Sequence, residues 1–197
     1  MAREVWGMFC LQSGTDPRWT ALVCDNMEKL LADHAYCEQK ASATAMSMVG
    51  KYPDDAYLAP RMIALAIEEL EHFQRIYDVI KARDWTLGHV DKDPYVAELL
   101  PLIRKHGDEH LIDRLLISSL IEARSAERFF ILAEALPDAE LRELYRDLAA
   151  TESRHHTTFV SMASHYAPRD EVRARLNELA REEAAILARL PIAPRMH

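Results

Sequence analysis

A lone glutamate followed about thirty residues later by a Glu-x-x-His pair occurs twice in this chain, first as Glu38 with Glu69 and His72, then as Glu122 with Glu152 and His155. All six residues sit on apolar stripes with helical spacing. One stripe reads Met27, Leu31, His34, Glu38, Ala41, Ala45 and Met48, and the next reads Met62, Leu65, Ala66, Glu69, His72, Phe73, Ile76 and Ile80. A third carries Ile112, Leu115, Ser119, Glu122, Ala126, Phe129 and Ala133, and a fourth Leu141, Leu144, Leu148, Glu152, His155, Phe159 and Met162. Neighbouring Glu68 and Glu71 leave the stripe and read as solvated partners of residues such as Arg75. The chain must therefore fold into helices that turn carboxylates inward.

A buried, uncompensated carboxylate costs on the order of several kcal/mol, so such groups pair, protonate or bind metal. A single inward glutamate reads as a rim residue or half of a helix-pair salt bridge. Six residues in duplicated register, with no arginine on the same stripes, do not. Four carboxylates and two imidazoles form the ligand set of a carboxylate-bridged di-iron or di-manganese centre in a four-helix bundle.

A chain of 197 residues is long enough for a sizeable core, and its five glycines suit a mainly helical fold. The pattern predicts core helices at about 17–49, 56–83, 109–135 and 138–165, all within one domain spanning 1–197. Asp16-Pro17 opens the first helix after an irregular arm holding Trp6 and Phe9, and Asp54 and Asp55 cap the second. A short helix, Tyr95 to His106, lies in the long crossover, and a last amphipathic helix from Pro168 to Leu190 covers the bundle. Pro137-Asp138 makes a tight turn between antiparallel neighbours. Two helices, a long crossover and two more give the ferritin-like topology: an all-α four-helix bundle in which pseudo-twofold symmetry joins the half-sites.

Cys10, Cys24 and Cys37 lack a C-x-x-C spacing and read as reduced thiols of a cytoplasmic protein. Neither a membrane-spanning apolar run nor an export signal is evident.

Within each Glu-x-x-His pair both side chains reach one metal. Glu69 and Glu152 are the candidate bridging carboxylates, His72 and His155 give one imidazole per metal, and Glu38 and Glu122 are the outer carboxylates. No catalytic residue is expected beyond these ligands. Imidazole beside hard carboxylates suits two iron ions, with manganese the lesser alternative and O2 the co-substrate. Glu127 is the competing third-helix ligand. His34 reads as a hydrogen-bonded core residue or a gate, His156 as a ligand neighbour or surface histidine, and Asp33, Tyr36 and Arg124 as groups that orient ligands.

The segments Asp33-His34-Ala35-Tyr36-Cys37-Glu38-Gln39-Lys40-Ala41, Glu68-Glu69-Leu70-Glu71-His72-Phe73 and Leu120-Ile121-Glu122-Ala123-Arg124-Ser125-Ala126-Glu127-Arg128 resemble the bacterial tRNA 2-methylthio-N(6)-isopentenyladenosine hydroxylases. The similarity runs from near Trp19 through Phe159. It implies a ferritin-like, non-haem di-iron monooxygenase that uses O2 to hydroxylate the isopentenyl group of the hypermodified adenosine beside the anticodon. The family ligands fall on Glu38, Glu69, His72, Glu122, Glu152 and His155. Tyr36 and Gln39 depart from the asparagine and lysine of many relatives, and neither is a ligand.

The partners implied are a modified tRNA and, as no flavin or nicotinamide motif is evident, an external electron donor or reductase. The assembly expected is a monomer or small homo-oligomer. A net charge of −8 argues against nonspecific polyanion binding. Lys81, Arg83, Lys92, Arg104 and Lys105 cluster in sequence around the crossover, and Trp85 and Tyr95 are candidate stacking platforms for an RNA loop. The alternative functions are a ferroxidase or a peroxidase of the ferritin or rubrerythrin type. The rubrerythrin reading lacks its usual C-x-x-C site, and storage would need a closed shell.

Overall fold

A computed structural model describes residues 9–89 and 92–197, and among these residues it is all-α with no strand. The helices are α1 (Pro17–Cys24), α2 (Met27–Lys51), α3 (Leu58–Ala82), α4 (Pro94–Leu99), α5 (Gly107–Ala135), α6 (Ala139–Tyr166) and α7 (Arg169–Arg189), with a 3-10 turn at Leu100–Leu102. A helix pair, a crossover and a second pair is the ferritin-like order expected. Trp6 lies outside the described residues.

The helix expected at 17–49 is broken in two. Asn26 donates from its side-chain Nδ2 to the Leu22 carbonyl at 2.9 Å, while its backbone amide bonds the Val23 carbonyl at 3.0 Å. The side chain thus takes the carbonyl that an unbroken helix would offer to the residue-26 amide. The crossover helix is also shorter than expected, because Pro101 stands where the α-helix gives way to the 3-10 turn.

The described chain divides into two compact units. One comprises residues 22–89 and 193–196. Here α2 and α3 pack together across the short connection 52–57. Asp55 accepts from the amides of Tyr57 and Leu58 at the start of α3. At its far end Asp84 adopts φ 54°, and the Trp85 amide reaches back to the Ile80 carbonyl at 3.0 Å, which closes the last turn. Met62, Leu65, Ala66, Glu69, His72, Ile76 and Ile80 are buried on α3, whereas Phe73, expected on the same stripe, is only half-buried and stacks on Tyr77.

The other unit comprises residues 9–21, 92–192 and 197. Asp93 caps α4 through the amides of Tyr95 and Val96, and Asp138 caps α6 through those of Glu140 and Leu141. The helix α5 is buried around most of its circumference, with Leu115, Leu116 and Leu120 fully enclosed. Each such leucine contributes about 1.5–3 kcal/mol relative to an exposed one. The covering helix α7 packs on α5 and supplies ionic anchors. Arg175 donates twice to Asp113, at 3.0 and 2.8 Å, and Glu183 receives Arg124 at 2.9 and 3.0 Å.

Candidate metal centre

In the α2–α3 pair, Ser42 Oγ donates to the Ala66 carbonyl at 2.8 Å. Ser42 lies one turn beyond Glu38, and Ala66 one turn before Glu69, so this bond sets the register that brings the acidic residues level. Glu38 divides its carboxylate. Its Oε1 lies 2.6 Å from His34 Nε2, while Oε2 faces His72 Nδ1 at 3.9 Å. His72 Nδ1 also stands 3.3 Å from Glu69 Oε2. All three candidate ligands are buried, and each offers a ligand atom within 4.8 Å of the others.

The α5–α6 pair repeats the arrangement. Glu152 Oε2 lies 2.9 Å from His155 Nδ1, the same two atoms that meet in the first pair, and both residues share a 4.8 Å cluster with Glu122. Here the register is set by His156, whose Nδ1 lies 2.8 Å from Ser119 Oγ and 3.0 Å from the Ser119 carbonyl, one turn before Glu122. His156 is buried, with Phe9 edge-on at 5.7 Å, so it is not a surface residue. Burial pushes its imidazole below the usual range, against the opposing effect of its bond to the Ser119 carbonyl.

Each cluster thus gathers two carboxylates and one imidazole out of solvent, an oxygen-rich set with one nitrogen. Such donors fit a hard or borderline divalent metal. Aimed at one point, they also share the burial cost that separate carboxylates would each carry.

The remaining candidates go elsewhere. Glu127 is not aimed at a metal: its oxygens accept from the Thr15 amide and hydroxyl, and Arg124 Nη1 lies 2.5 Å away. Arg124 spends its guanidinium on Glu127, Glu183 and the Ser13 carbonyl, and so locks helices instead of orienting a ligand. Burial would lower its pKa, but Glu183 and Glu127 outweigh that and raise it. Tyr36 donates to the Gly88 carbonyl at 2.8 Å, and Asp33 accepts from the Met196 amide at 2.7 Å. Tyr95 is fully buried and donates to Glu183 Oε1 at 2.9 Å, which removes it as a stacking platform. Trp85 stays half-exposed, with the Arg83 guanidinium 5.7 Å from its ring centre. Arg104 is bound by Asp113 and Glu109. Sequence periodicity missed the buried network of Arg124, Glu127, Glu183 and Tyr95, although Arg124 and Glu127 at i,i+3 were its visible trace.

The family model described as tRNA-(MS[2]IO[6]A)-hydroxylase (MiaE) matches residues 7–197. A Pseudomonas putida protein named tRNA 2-(methylsulfanyl)-N(6)-isopentenyladenosine(37) hydroxylase is 36% identical, over 90% of this chain and 85% of its own. A Salmonella typhimurium protein of the same name is 28% identical, over 90% of this chain and 83% of its own. A solved structure named protein 43 with aldehyde deformylating oxygenase activity, from Synechococcus, superposes with a TM-score of 0.91 at 38% identity, covering 95% of this chain and 94% of that one. A family match over residues 7–197, together with a relative 36% identical over 90% of the chain, places the chain in the tRNA-(MS[2]IO[6]A)-hydroxylase family.

Proposed function

We propose that this protein is an O2-dependent di-iron monooxygenase that hydroxylates the isopentenyl group of 2-methylthio-N(6)-isopentenyladenosine in the tRNA anticodon loop. The observation that carries the reading is the pair of buried clusters, each a glutamate with a Glu-x-x-His, in a chain of this family. Glu38, Glu69 and His72 would hold one iron and Glu122, Glu152 and His155 the other.

Two irons, when bound, supply the redox chemistry with O2 that amino-acid side chains lack. The chain's own residues supply the rest. The four carboxylates would balance the metal charge, the two imidazoles would add a nitrogen donor each, and the buried apolar stripes keep bulk water away from the reacting group. No helix among the described residues is long and apolar enough to cross a membrane. A tRNA substrate locates the reaction in the cytoplasm, and the electrons come from a separate donor. The protein works as a monomer or small homo-oligomer.

The test is to incubate the reduced, iron-loaded protein with tRNA carrying the isopentenyl modification under labelled O2. One labelled oxygen is expected in the isopentenyl group. Oxygen drawn from water with no O2 requirement would overturn the monooxygenase reading. Iron oxidation or peroxide turnover without tRNA product would instead select the ferroxidase or peroxidase alternative.

A further inference from the structure

The segment that follows α3 is pinned to α2 at two points. Glu28 Oε1 accepts from the Thr86 amide at 3.0 Å and the Thr86 hydroxyl at 3.1 Å, and Tyr36 donates to the Gly88 carbonyl at 2.8 Å. Glu28 and Tyr36 are about 12 Å apart along the helix axis, so the segment runs beside α2. Gly88 turns there with φ 66°, in the left-handed region that favours glycine. A second wall, residues 193–195, is held by the Met196 amide, which donates to Asp33 Oδ2 at 2.7 Å, and by the fully buried Met196 side chain. These walls and α2 line a cavity of about 610 Å³, half open to solvent, to which α2 presents the small side chain of Ala32.

At about 100° per residue, Lys29, Ala32, Asp33 and Tyr36 fall on the face of α2 opposite His34 and Glu38. The cavity is therefore separate from the candidate ligands. Its two carboxylates, Glu28 and Asp33, each turn an oxygen to a backbone amide of the walls. Among the described residues, by contrast, the side chains of Lys29 and His89 have no hydrogen-bond or ion-pair partner. Arg195 adds a guanidinium from the second wall. An ammonium, a guanidinium and an imidazole in one concave site suit a phosphate group. The volume lies within the range of about 300–1,000 Å³ typical of small-ligand sites, which is room for a nucleotide and not only for an ion. Trp85, half-exposed, immediately precedes Thr86 and so begins the same segment.

We infer that this cavity is a second contact site for the RNA substrate, taking one phosphodiester-bearing nucleotide of the anticodon arm other than the target adenosine, with Lys29 on its phosphate. The inference rests on the tRNA reading above.

Fluorescence anisotropy of a labelled anticodon stem-loop with the full chain, with and without iron and over a series of salt concentrations, tests it. Lys29→Gln should weaken binding about 10-fold, as loss of a charged hydrogen bond does. It should also reduce the slope of log K against log salt by about 0.7–1. Ala32→Phe fills the cavity without changing charge and should weaken binding by as much. Should it fail to fold by circular dichroism, Ala32→Met takes its place. Lys51→Gln removes the same charge from the far end of α2 and should leave affinity unchanged. Both cavity variants should keep the iron content of the wild type. Wild-type affinity in Lys29→Gln or in the Ala32 variant, an equal loss in Lys51→Gln, or loss of iron with either cavity variant would overturn the inference and leave the tRNA reading intact. AMP separates the two sources of a phosphate: it is expected to bind far more weakly than the stem-loop. AMP bound as tightly, and lost in Lys29→Gln, would assign the cavity to a free nucleotide and overturn the RNA site. A wild type that binds no stem-loop would sink the tRNA reading itself, and this site with it.

Discussion

Glu127 receives both the backbone amide and the hydroxyl of Thr15, at 2.8 and 2.7 Å, across 112 residues of sequence. A carboxylate five positions beyond the candidate ligand Glu122 is thereby committed to holding the N-terminal arm on α5. Its partner Arg124 is fully buried, and Arg128 beside it lies with its guanidinium 4.8 Å from the Trp19 ring centre. Burial, with Arg124 nearby, pushes Arg128 down to about 10, so it remains charged at neutral pH.

Glu127 and Glu122 should therefore fail in opposite ways. Glu127→Ala leaves Arg124 on Glu183 and the Ser13 carbonyl but removes the acceptor of Thr15, and should lower unfolding stability by about 1–3 kcal/mol, as loss of a buried hydrogen-bond partner does. Any protein that stays folded should keep its iron stoichiometry. Chemical denaturation and metal analysis on the same sample check this.

Glu122→Ala should abolish most activity without unfolding the metal-free chain, since it relieves crowding among buried carboxylates. The metal-free melting temperature is expected to hold or rise. The stabilisation given by metal, about 2.7 kcal/mol at a free concentration a hundred times Kd, should shrink. If Glu122→Ala kept iron binding and turnover, the third-helix assignment would be wrong.

Acid should expose Asp113. Burial alone would raise its carboxyl, but the hydrogen bonds from Arg175 and Arg104 outweigh burial and hold it at about 2. A folded-state pKa below the unfolded value means that the stabilisation is complete above about pH 4 and is lost as pH falls toward 2. A carboxyl held at about 2 corresponds to on the order of 2 kcal/mol of stabilisation. Asp113→Asn should flatten the stability-versus-pH curve of the metal-free protein across that window. A slope equal to wild type would show that Asp113 is not the group responsible.

For RNA, the two aromatic candidates should separate. Trp85→Ala is expected to weaken binding of a modified anticodon stem-loop, by about 1–3 kcal/mol if one base stacks there. Tyr95→Phe should leave that affinity unchanged. It should instead cost stability, on the order of 1–3 kcal/mol, because Glu183 loses a buried donor. Fluorescence anisotropy with a labelled stem-loop distinguishes the two.

The sequence by itself determined which residues turn inward. Helical periodicity is a local property, so the stripes through Glu38, Glu69, Glu122 and Glu152 were readable, as were the cap at Asp55, the turn at Pro137-Asp138 and the helix order. The segments around the glutamates also sufficed for the family. Only the tertiary structure decided what each inward polar group meets. Glu122 and Glu127 both lie on α5 and both are buried, yet Glu127 ends on Thr15, a partner that no spacing rule connects to it. Tyr95 looked like an exposed crossover aromatic until Glu183, 88 residues away, gave its hydroxyl a buried acceptor. The break at Asn26 turned on a side chain outcompeting its own backbone amide for one carbonyl, a contest between nearly equal hydrogen bonds that apolar spacing does not register. Periodicity fixes the face of a helix, whereas the charge or donor opposite that face comes from chain distant in sequence and is set by packing.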